Sequence, residues 1–358
     1  MSVARQTRYK SVSDLEQAGL LPGACSHDYA DLGARYAIGV NSQVVGTIAD
    51  PVCPLQDPVG RQYLPSPEEL QRAPEELRDP TGDEAHSPVT GIVHRYPDRV
   101  LLKISNICAV YCRYCFRREM VGPGQETLTD ADLEKALAYI EATPAIWEVI
   151  LTGGDPLVLS ARRLESILDR LNRIAHVQVV RIHSRVPVAD PQRITKTLCS
   201  VLKTSAKPLY VVIHINHPQE ITESVVEALR ELRASGCSLL SQSVLLKGVN
   251  DDARVLDSLF RALIGLHVKP YYLHHPDLAP GTGHFRVDIE TGRAIMRALQ
   301  GRLSGICLPR YVLDIPGGFG KVPIEHCYAA VQEDGDYLVE DIDGRVHAYP
   351  PRVRAGDG

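Results

Sequence analysis

The chain has no excess of basic residues: 39 lysines and arginines stand against 44 acidic residues, a formal net charge of −5. A general nucleic-acid binder normally carries a basic face, so no nucleic-acid partner is expected. A local cationic pocket for phosphate or carboxylate is compatible with that total. The chain also lacks an apolar signal region, because the opening MSVARQTRYKSVSDLEQAG is polar and charged. No run reaches the roughly 18 apolar residues of a membrane span. A cytoplasmic protein with no membrane partner is the expectation. A paired cysteine framework is missing too. The nine cysteines are odd in number, and three of them crowd into eight positions while the others are scattered. That distribution suits a reducing compartment and a metal or cluster site better than disulfides.

What is present is a globular composition, 44 % hydrophobic and 23 % charged over 358 residues. This is enough for one large domain with appendages or for two ordinary domains. Short β-branched apolar runs occupy residues 100–105, 147–152, 177–183, 210–215, 239–245 and 269–274. After the first gap they recur at the spacing of a βα unit, and they lack clean alternation, as parallel strands covered on both faces do. Amphipathic stretches lie between them. Leu164, Ile167, Leu168 and Leu171 share one helical face behind a Ser160 cap, and Leu133, Ala136, Leu137 and Ile140 repeat the pattern behind Thr129. A helix over 222–235 stops at Gly236.

These repeats predict an α/β fold, a partial parallel (β/α)6 barrel over residues 91–305. Residues 1–90 read as an N-terminal helical arm packed on the barrel, with no obvious core of their own. Residues 306–350 read as a segment ending in a short β-meander, with turns at Asp334-Gly335 and Asp343-Gly344. Residues 351–358 read as a disordered tail.

The cysteine array carries the chemistry. CAVYCRYC sets Cys108, Cys112 and Cys115 in C-x3-C-x2-C spacing straight after the first barrel strand, where barrel loops hold active sites. Three thiolates so close can bind three irons of a cubane cluster, leaving the fourth iron open to a substrate. A structural zinc site would favour C-x2-C pairs and four ligands, and no second pair occurs at a sensible spacing. Three buried structural thiols are a weaker alternative.

The array and its surroundings resemble a known family. HRYPDRVLLKISNICAVYCRYCFRR, LTGGDPL, RIHSRVPV, HINHPQEIT, QSVLLKGVND, YYLHHPDLAPGTGHFR and DIPGGFGKVPI occur in that order. They resemble the lysine 2,3-aminomutase family of radical S-adenosylmethionine enzymes over about residues 86–325, and more faintly in both flanks. The resemblance implies a [4Fe–4S] cluster on Cys108, Cys112 and Cys115 that reductively cleaves S-adenosylmethionine. The 5′-deoxyadenosyl radical so formed would take a hydrogen from the β-carbon of an amino acid. Gly153, Gly154 and Asp155 match the segment that receives the methionine amino end, the acid pairing with the ammonium; a plain βα turn would look the same. His214 and Gln242, near the ends of later strands, would lie in the same cofactor pocket unless they are satisfied core polar groups.

Lys321, behind the PGGFG turn, matches the lysine that holds pyridoxal 5′-phosphate as an imine. In isolation that lysine would be a solvated surface residue, and the G-x4-G-K-[ST] pattern of a nucleotide loop is not met. Arg95 and Arg99 match the phosphate-contacting arginines, with Tyr96 between them near the cofactor. Arg117 matches the arginine for the substrate α-carboxylate, and Asp277 and Asp314 match the two acids for the distal ammonium of lysine. Read alone, Asp277 is a turn residue and Asp314 a strand-end cap.

The implied reaction moves the α-amino group of L-lysine to its β-carbon, with arginine or ornithine as other basic substrates. The CFRRE stretch also resembles the shorter relatives that make β-lysine for elongation factor P. No zinc is expected, because the cysteine-rich C-terminal segment of the longer aminomutases has no counterpart after Pro351. A flavodoxin- or ferredoxin-type electron donor and a homo-oligomer would complete the picture. A reading of a different class is a non-enzymatic iron–sulfur protein for electron transfer or redox sensing, which would need neither Lys321 nor the acidic pair.

Overall fold

The computed structural model describes residues 7–21, 27–124, 128–333 and 335–350. One nine-stranded sheet organises it. In chain order the strands are β1 (Ile92–Tyr96), β2 (Arg99–Ser105), β3 (Glu148–Gly153), β4 (Val179–Ser184), β5 (Leu209–His214), β6 (Ser238–Val244), β7 (Lys269–His274), β8 (Arg310–Ile315) and β9 (Gly320–Pro323). Each strand pairs with its neighbour in sequence, parallel from β2 to β8 and antiparallel at both edges. Helices α1 (Asp130–Glu141), α2 (Ala161–Arg173), α3 (Lys196–Leu202), α4 (Glu223–Ala234), α5 (Ala253–Gly265) and α6 (Ile289–Leu299) follow β2 to β7 in turn. The expected (β/α)6 core is therefore present.

Local signals explain the elements. Ser160 accepts from the Arg163 N–H and Thr129 from that of Asp132, capping α2 and α1. The predicted apolar faces of both helices are buried. Along β2, Val100, Leu102 and Ile104 join the main core under the helices, while Arg99, Leu101 and Lys103 take the other, half-buried face. The same period sends Val180 and Ile182 of β4 outward to the core and leaves Arg181 and His183 on the inner face. Missing alternation in the sequence thus hid a two-sided pattern, because the inner face is a polar lumen.

The sheet runs past residue 305, where the barrel was expected to stop. β8 extends the parallel ladder, and β9 folds back on it with Asp314 opposite Lys321. On the other edge, β1 and β2 form a hairpin around Pro97-Asp98. The two edges meet where the Lys321 N–H donates to the Tyr96 hydroxyl at 2.7 Å. A side-chain hydrogen bond there takes the place of a ladder.

The arm does have a core, contrary to expectation. Leu15, Tyr29, Leu32, Tyr36, Val44, Val59 and Tyr63 cluster with Val110 and Ala189 of the barrel. Its helices are four to nine residues long, so each buries only one to three side chains and none shows a long stripe. The C-terminal meander is antiparallel, β10 (Ala329–Val331), β11 (Tyr337–Glu340) and β12 (Val346–Tyr349), with Gly344 at φ +84° in its second turn. Asp334 of the first turn and the expected tail, 351–358, lie outside the described residues.

Candidate active site

β2 ends at Ser105, and the cysteine loop follows at the C-terminal mouth of the barrel. Cys108, Cys112 and Cys115 line one cavity of about 840 Å³, counting its open mouth, together with Gly153, Gly154, Arg117, His183 and His214. Burial pushes all three thiols up, Cys115 to about 11. They stay protonated unless a cation takes the proton's place. Among the described residues no three His, Cys, Asp or Glu side chains are gathered around a single ion.

The arm and the later strands hold this loop. Gln62 and Gly39 offer carbonyls to the N–H groups of Arg113 at 2.7 Å and Tyr111 at 2.9 Å. Glu69, wholly buried, receives Arg113 at 2.9 Å and also Arg118. Arg185, just beyond β4, donates to Gln62 at 2.8 Å, Glu220 at 2.6 Å, and the hydroxyls of Tyr63 and Tyr114. Tyr114 lies between the second and third cysteines, so this network ties the loop to three separate elements.

The Gly153-Gly154-Asp155 turn packs against the root of the cysteine loop and lines the same cavity. A Cβ on Gly153 would strike the Ser105 carbonyl, and one on Gly154 would strike that of Ile107. Both glycines let the β3 turn lie on the root of the cysteine loop, and Gly153 also has φ +111°. Asp155 is buried and accepts from the Ser184 hydroxyl at 2.6 Å and from the N–H groups of Arg185, Leu157 and Val186 at 2.7, 3.0 and 3.0 Å. Its four lone-pair sites are filled internally. Asp155 also lines the cavity, so these donors fix the turn at the edge where the cysteines stand.

His214 and Gln242 are register partners on β5 and β6, with 2.6 Å between Gln242 Nε2 and His214 Nε2. Burial, then the Arg185 charge, brings His214 down to about 3, so it is a neutral imidazole. His183 stands beside it, ring centroids 6.2 Å apart.

Deeper contacts gather the second group of expected residues. Lys321 pairs with Asp314, lies 3.2 Å from His274 Nδ1 and sits 5.5 Å from the Tyr272 ring centre. Arg95 reaches Asp314 at 3.6 Å, Asp83 at 3.4 Å and the Thr81 carbonyl. Arg99 stacks on Tyr96 at 3.9 Å and donates to Asp98 at 2.7 Å, and most of its other donors meet no partner among the described residues. Arg117 gives Nε and Nη2 to Asp83 at 3.0 and 2.8 Å.

The two acids behave oppositely. Burial, and then the Asp314 charge, pushes Asp277 up to about 7, and no hydrogen bond reaches it among the described residues. Asp314 is held well below the carboxylate range, because His274 and Lys321 outweigh burial. Several buried polar atoms of this interior lack partners among the described residues: Nε of Arg95 and Arg181, and Nε2 of His183 and His274. Groups left this way in a lumen call for a ligand.

Sequence reasoning missed Glu69, Asp83, Arg185, Glu220, His183 and His274. The first four act through partners 30 or more residues away, which no local pattern reveals. The two histidines carried a signal, since each closes an apolar run, as His214 does.

A three-thiolate loop on the first strand of a (β/α)6 barrel defines a radical S-adenosylmethionine enzyme, and the Radical SAM superfamily model matches residues 102–259. A second model, described as Lysine-2,3-aminomutase, matches residues 296–355. The chain belongs to the lysine 2,3-aminomutase family. It is 42 % identical over 312 residues to the L-lysine 2,3-aminomutase of Clostridium subterminale, covering 87 % of this chain and 74 % of that one. It is 41 % identical over 270 residues to the L-lysine 2,3-aminomutase of Escherichia coli K12, covering 75 % and 78 %. The glutamate 2,3-aminomutase of Clostridioides difficile is 39 % identical over 283 residues, with 79 % and 66 % covered. The protein is thus an isomerase, a radical aminomutase that uses a [4Fe–4S] cluster and S-adenosylmethionine on a small amino acid. Among the described residues no helix is long and apolar enough to cross a membrane.

Proposed function

We propose that the enzyme converts L-lysine to β-lysine. The observation that carries this reading is the polarity of the lumen. A cationic pole, Arg117 with Lys103 nearby, stands at the cysteine end, and an acidic pole, Asp277 with Asp314, stands beside Lys321. A dipolar amino acid with a distal ammonium matches both poles. A distal carboxylate, as in glutamate, would meet Asp277 and Asp314 and be repelled.

Cys108, Cys112 and Cys115 would hold three irons. Gly153, Gly154, His214 and Gln242 would line the S-adenosylmethionine side of the cavity. Bound there, cluster and S-adenosylmethionine supply the hydrogen-abstracting radical. Neutral His214 can meet the adenosyl group by hydrogen bonding without adding charge. Lys321 would hold pyridoxal 5′-phosphate, which supplies the imine chemistry that lets nitrogen migrate. Tyr96 would flank it, and the other donors of Arg99, with Nε of Arg95, suit its phosphate. The orphaned Nε atoms and His274 Nε2 support that fit.

Arg117 orients the α-carboxylate through its remaining Nη1 edge. Asp277 takes the distal ammonium, and Asp314 shares that ammonium once Lys321 no longer neutralises it. Residues 1–90 serve the core as the arm that clamps the cysteine loop, residues 91–305 form the barrel proper, and residues 306–350 bring Lys321 to it. A flavodoxin- or ferredoxin-type donor supplies the electron, in the cytoplasm, to a chain that assembles with copies of itself.

The test is anaerobic incubation of the reconstituted enzyme with S-adenosylmethionine, reductant and a panel of lysine, arginine, ornithine and glutamate. β-Lysine from lysine is the expected product. Conversion of glutamate but not lysine sinks the substrate assignment.

A further inference from the structure

An unbroken line of alternating charges joins the cysteine loop to Lys321. Arg117, two residues beyond Cys115, gives two donors to Asp83. Asp83 lies 3.4 Å from Arg95, Arg95 lies 3.6 Å from Asp314, and Asp314 pairs with Lys321. The central member, Asp83, is 1 % exposed and comes from the arm. It also accepts from the Thr81 hydroxyl at 3.1 Å, and Asp79 receives its N–H at 2.9 Å.

The loop that carries Asp83 is fastened to the turn that carries Lys321. The Gly317 N–H donates to the Pro80 carbonyl at 3.3 Å, and His86 Nε2 lies 3.2 Å from the Gly318 carbonyl. A Cβ on Gly82 would collide with Gly318. Residues 79–86 therefore touch both halves of the site at once. The two arginines that flank Asp83 need it for charge reasons as well. Arg95, Arg117 and the lumen-facing Lys103 would otherwise be three neighbouring cations in a desolvated space.

We propose that Asp83 is a positioning residue: it takes the Nε–Nη2 edge of Arg117, so that the Nη1 edge is presented to the substrate α-carboxylate. A planar guanidinium held along one edge has its other donors set in direction. Without Asp83, Arg117 keeps its charge but loses its aim. This inference rests on the reading of Arg117 as the carboxylate site.

The test compares the KM for L-lysine with the competitive Ki of L-lysinamide, which keeps both amines and lacks the carboxylate. It uses enzyme loaded with cluster, S-adenosylmethionine and pyridoxal phosphate. Wild type should favour lysine by at least ~10-fold, as a site built for a charged group does. In Asp83→Asn that preference should shrink to roughly 2-fold, through a rise in KM with the Ki little moved. If Asp83→Asn keeps the wild-type preference while only thermal stability falls, Asp83 is a structural ion-pair member and the proposal is overturned. Asp83→Glu keeps the charge and shifts the guanidinium by a methylene. It should lose at least about half of the preference, and it decides the matter if the Asn variant does not accumulate. An undiminished preference in Asp83→Glu then overturns the proposal. A wild type that does not distinguish the two ligands brings down the Arg117 reading itself, and the inference with it.

Discussion

The two ends of the lumen are built on opposite terms. At the cysteine end the groups that anchor the loop are paired, although Arg118 Nε and His183 Nε2 there lack partners among the described residues. Asp155 has its four internal donors, Glu69 its two arginines and Arg185 its four partners. At the Lys321 end, Asp277 has no hydrogen bond among the described residues, and His274 Nε2 and Arg95 Nε are orphaned. The ion pairs there join groups that a ligand can take over, Lys321 with Asp314 above all. A radical-generating cluster needs a fixed loop, whereas a substrate pocket needs unspent charge. Pairing marks the anchors of the loop, and unpaired donors face the interior at both ends, Arg118 Nε and His183 Nε2 at one and Arg95 Nε and His274 Nε2 at the other, among the described residues.

Each prediction tests one side of that contrast. The largest effect belongs to the loop itself. Replacing Cys108, Cys112 or Cys115 by Ala should abolish the cluster absorbance and all formation of 5′-deoxyadenosine, measured after anaerobic reconstitution. Next, Lys321→Ala should remove the pyridoxal imine band from the absorption spectrum and end turnover, while leaving the cluster intact. A variant that keeps the band would show that another lysine holds the cofactor.

Breaking the scaffold should cost stability before chemistry. Glu69→Gln leaves Arg113 and Arg118 facing one another in the interior, and removing one partner of a buried pair costs about 3–5 kcal/mol. A lowered thermal midpoint is expected, read by circular dichroism, with kcat little changed in the fraction that stays folded. Asp277→Asn should do the converse. It should lower kcat/KM for lysine by about 100-fold, the scale of a truncated buried charge contact, with the melting point unchanged or raised.

The smallest effect is a pH dependence. Asp277, pushed up to about 7 by burial and Asp314, is protonated below that pH and ionised above it. Only the ionised form attracts an ammonium, so kcat/KM for lysine should rise about 10-fold between pH 6 and 8. The Asn variant should flatten that limb of the profile; an unchanged slope would assign it to another group. The same shift favours the folded, ligand-free protein at low pH. The folded state holds a proton that the unfolded chain releases above about 4, so this group's contribution falls as pH rises toward 7.

Legibility followed the range of the interaction. The six strands, the capped helices and the Gly236 stop were all readable, because periodicity and caps are local in sequence. β1 escaped notice because RYPDR looks like an exposed turn, and its strand character comes from pairing with β2. The arm's core was invisible because several short helices contribute to it together. Among site residues, Asp155 was legible by its nearness to the cysteines, whereas its donors Ser184, Arg185 and Val186 come from a segment about 30 residues on and left no local signal.

The order of the residues was enough to set the three thiolates on one loop after the first strand, and to place a lysine behind a glycine turn near a barrel edge. Both depend on spacing along the chain, which backbone geometry converts directly into position. Which charges meet was decided only by the folded structure. Lys321 faces Asp314 because β9 folds back in one register. Arg117 faces Asp83 because the arm crosses the barrel mouth 34 residues earlier in the chain. Electrostatic partners are selected by distance in space and by loss of water around them, and neither quantity exists until the barrel has closed.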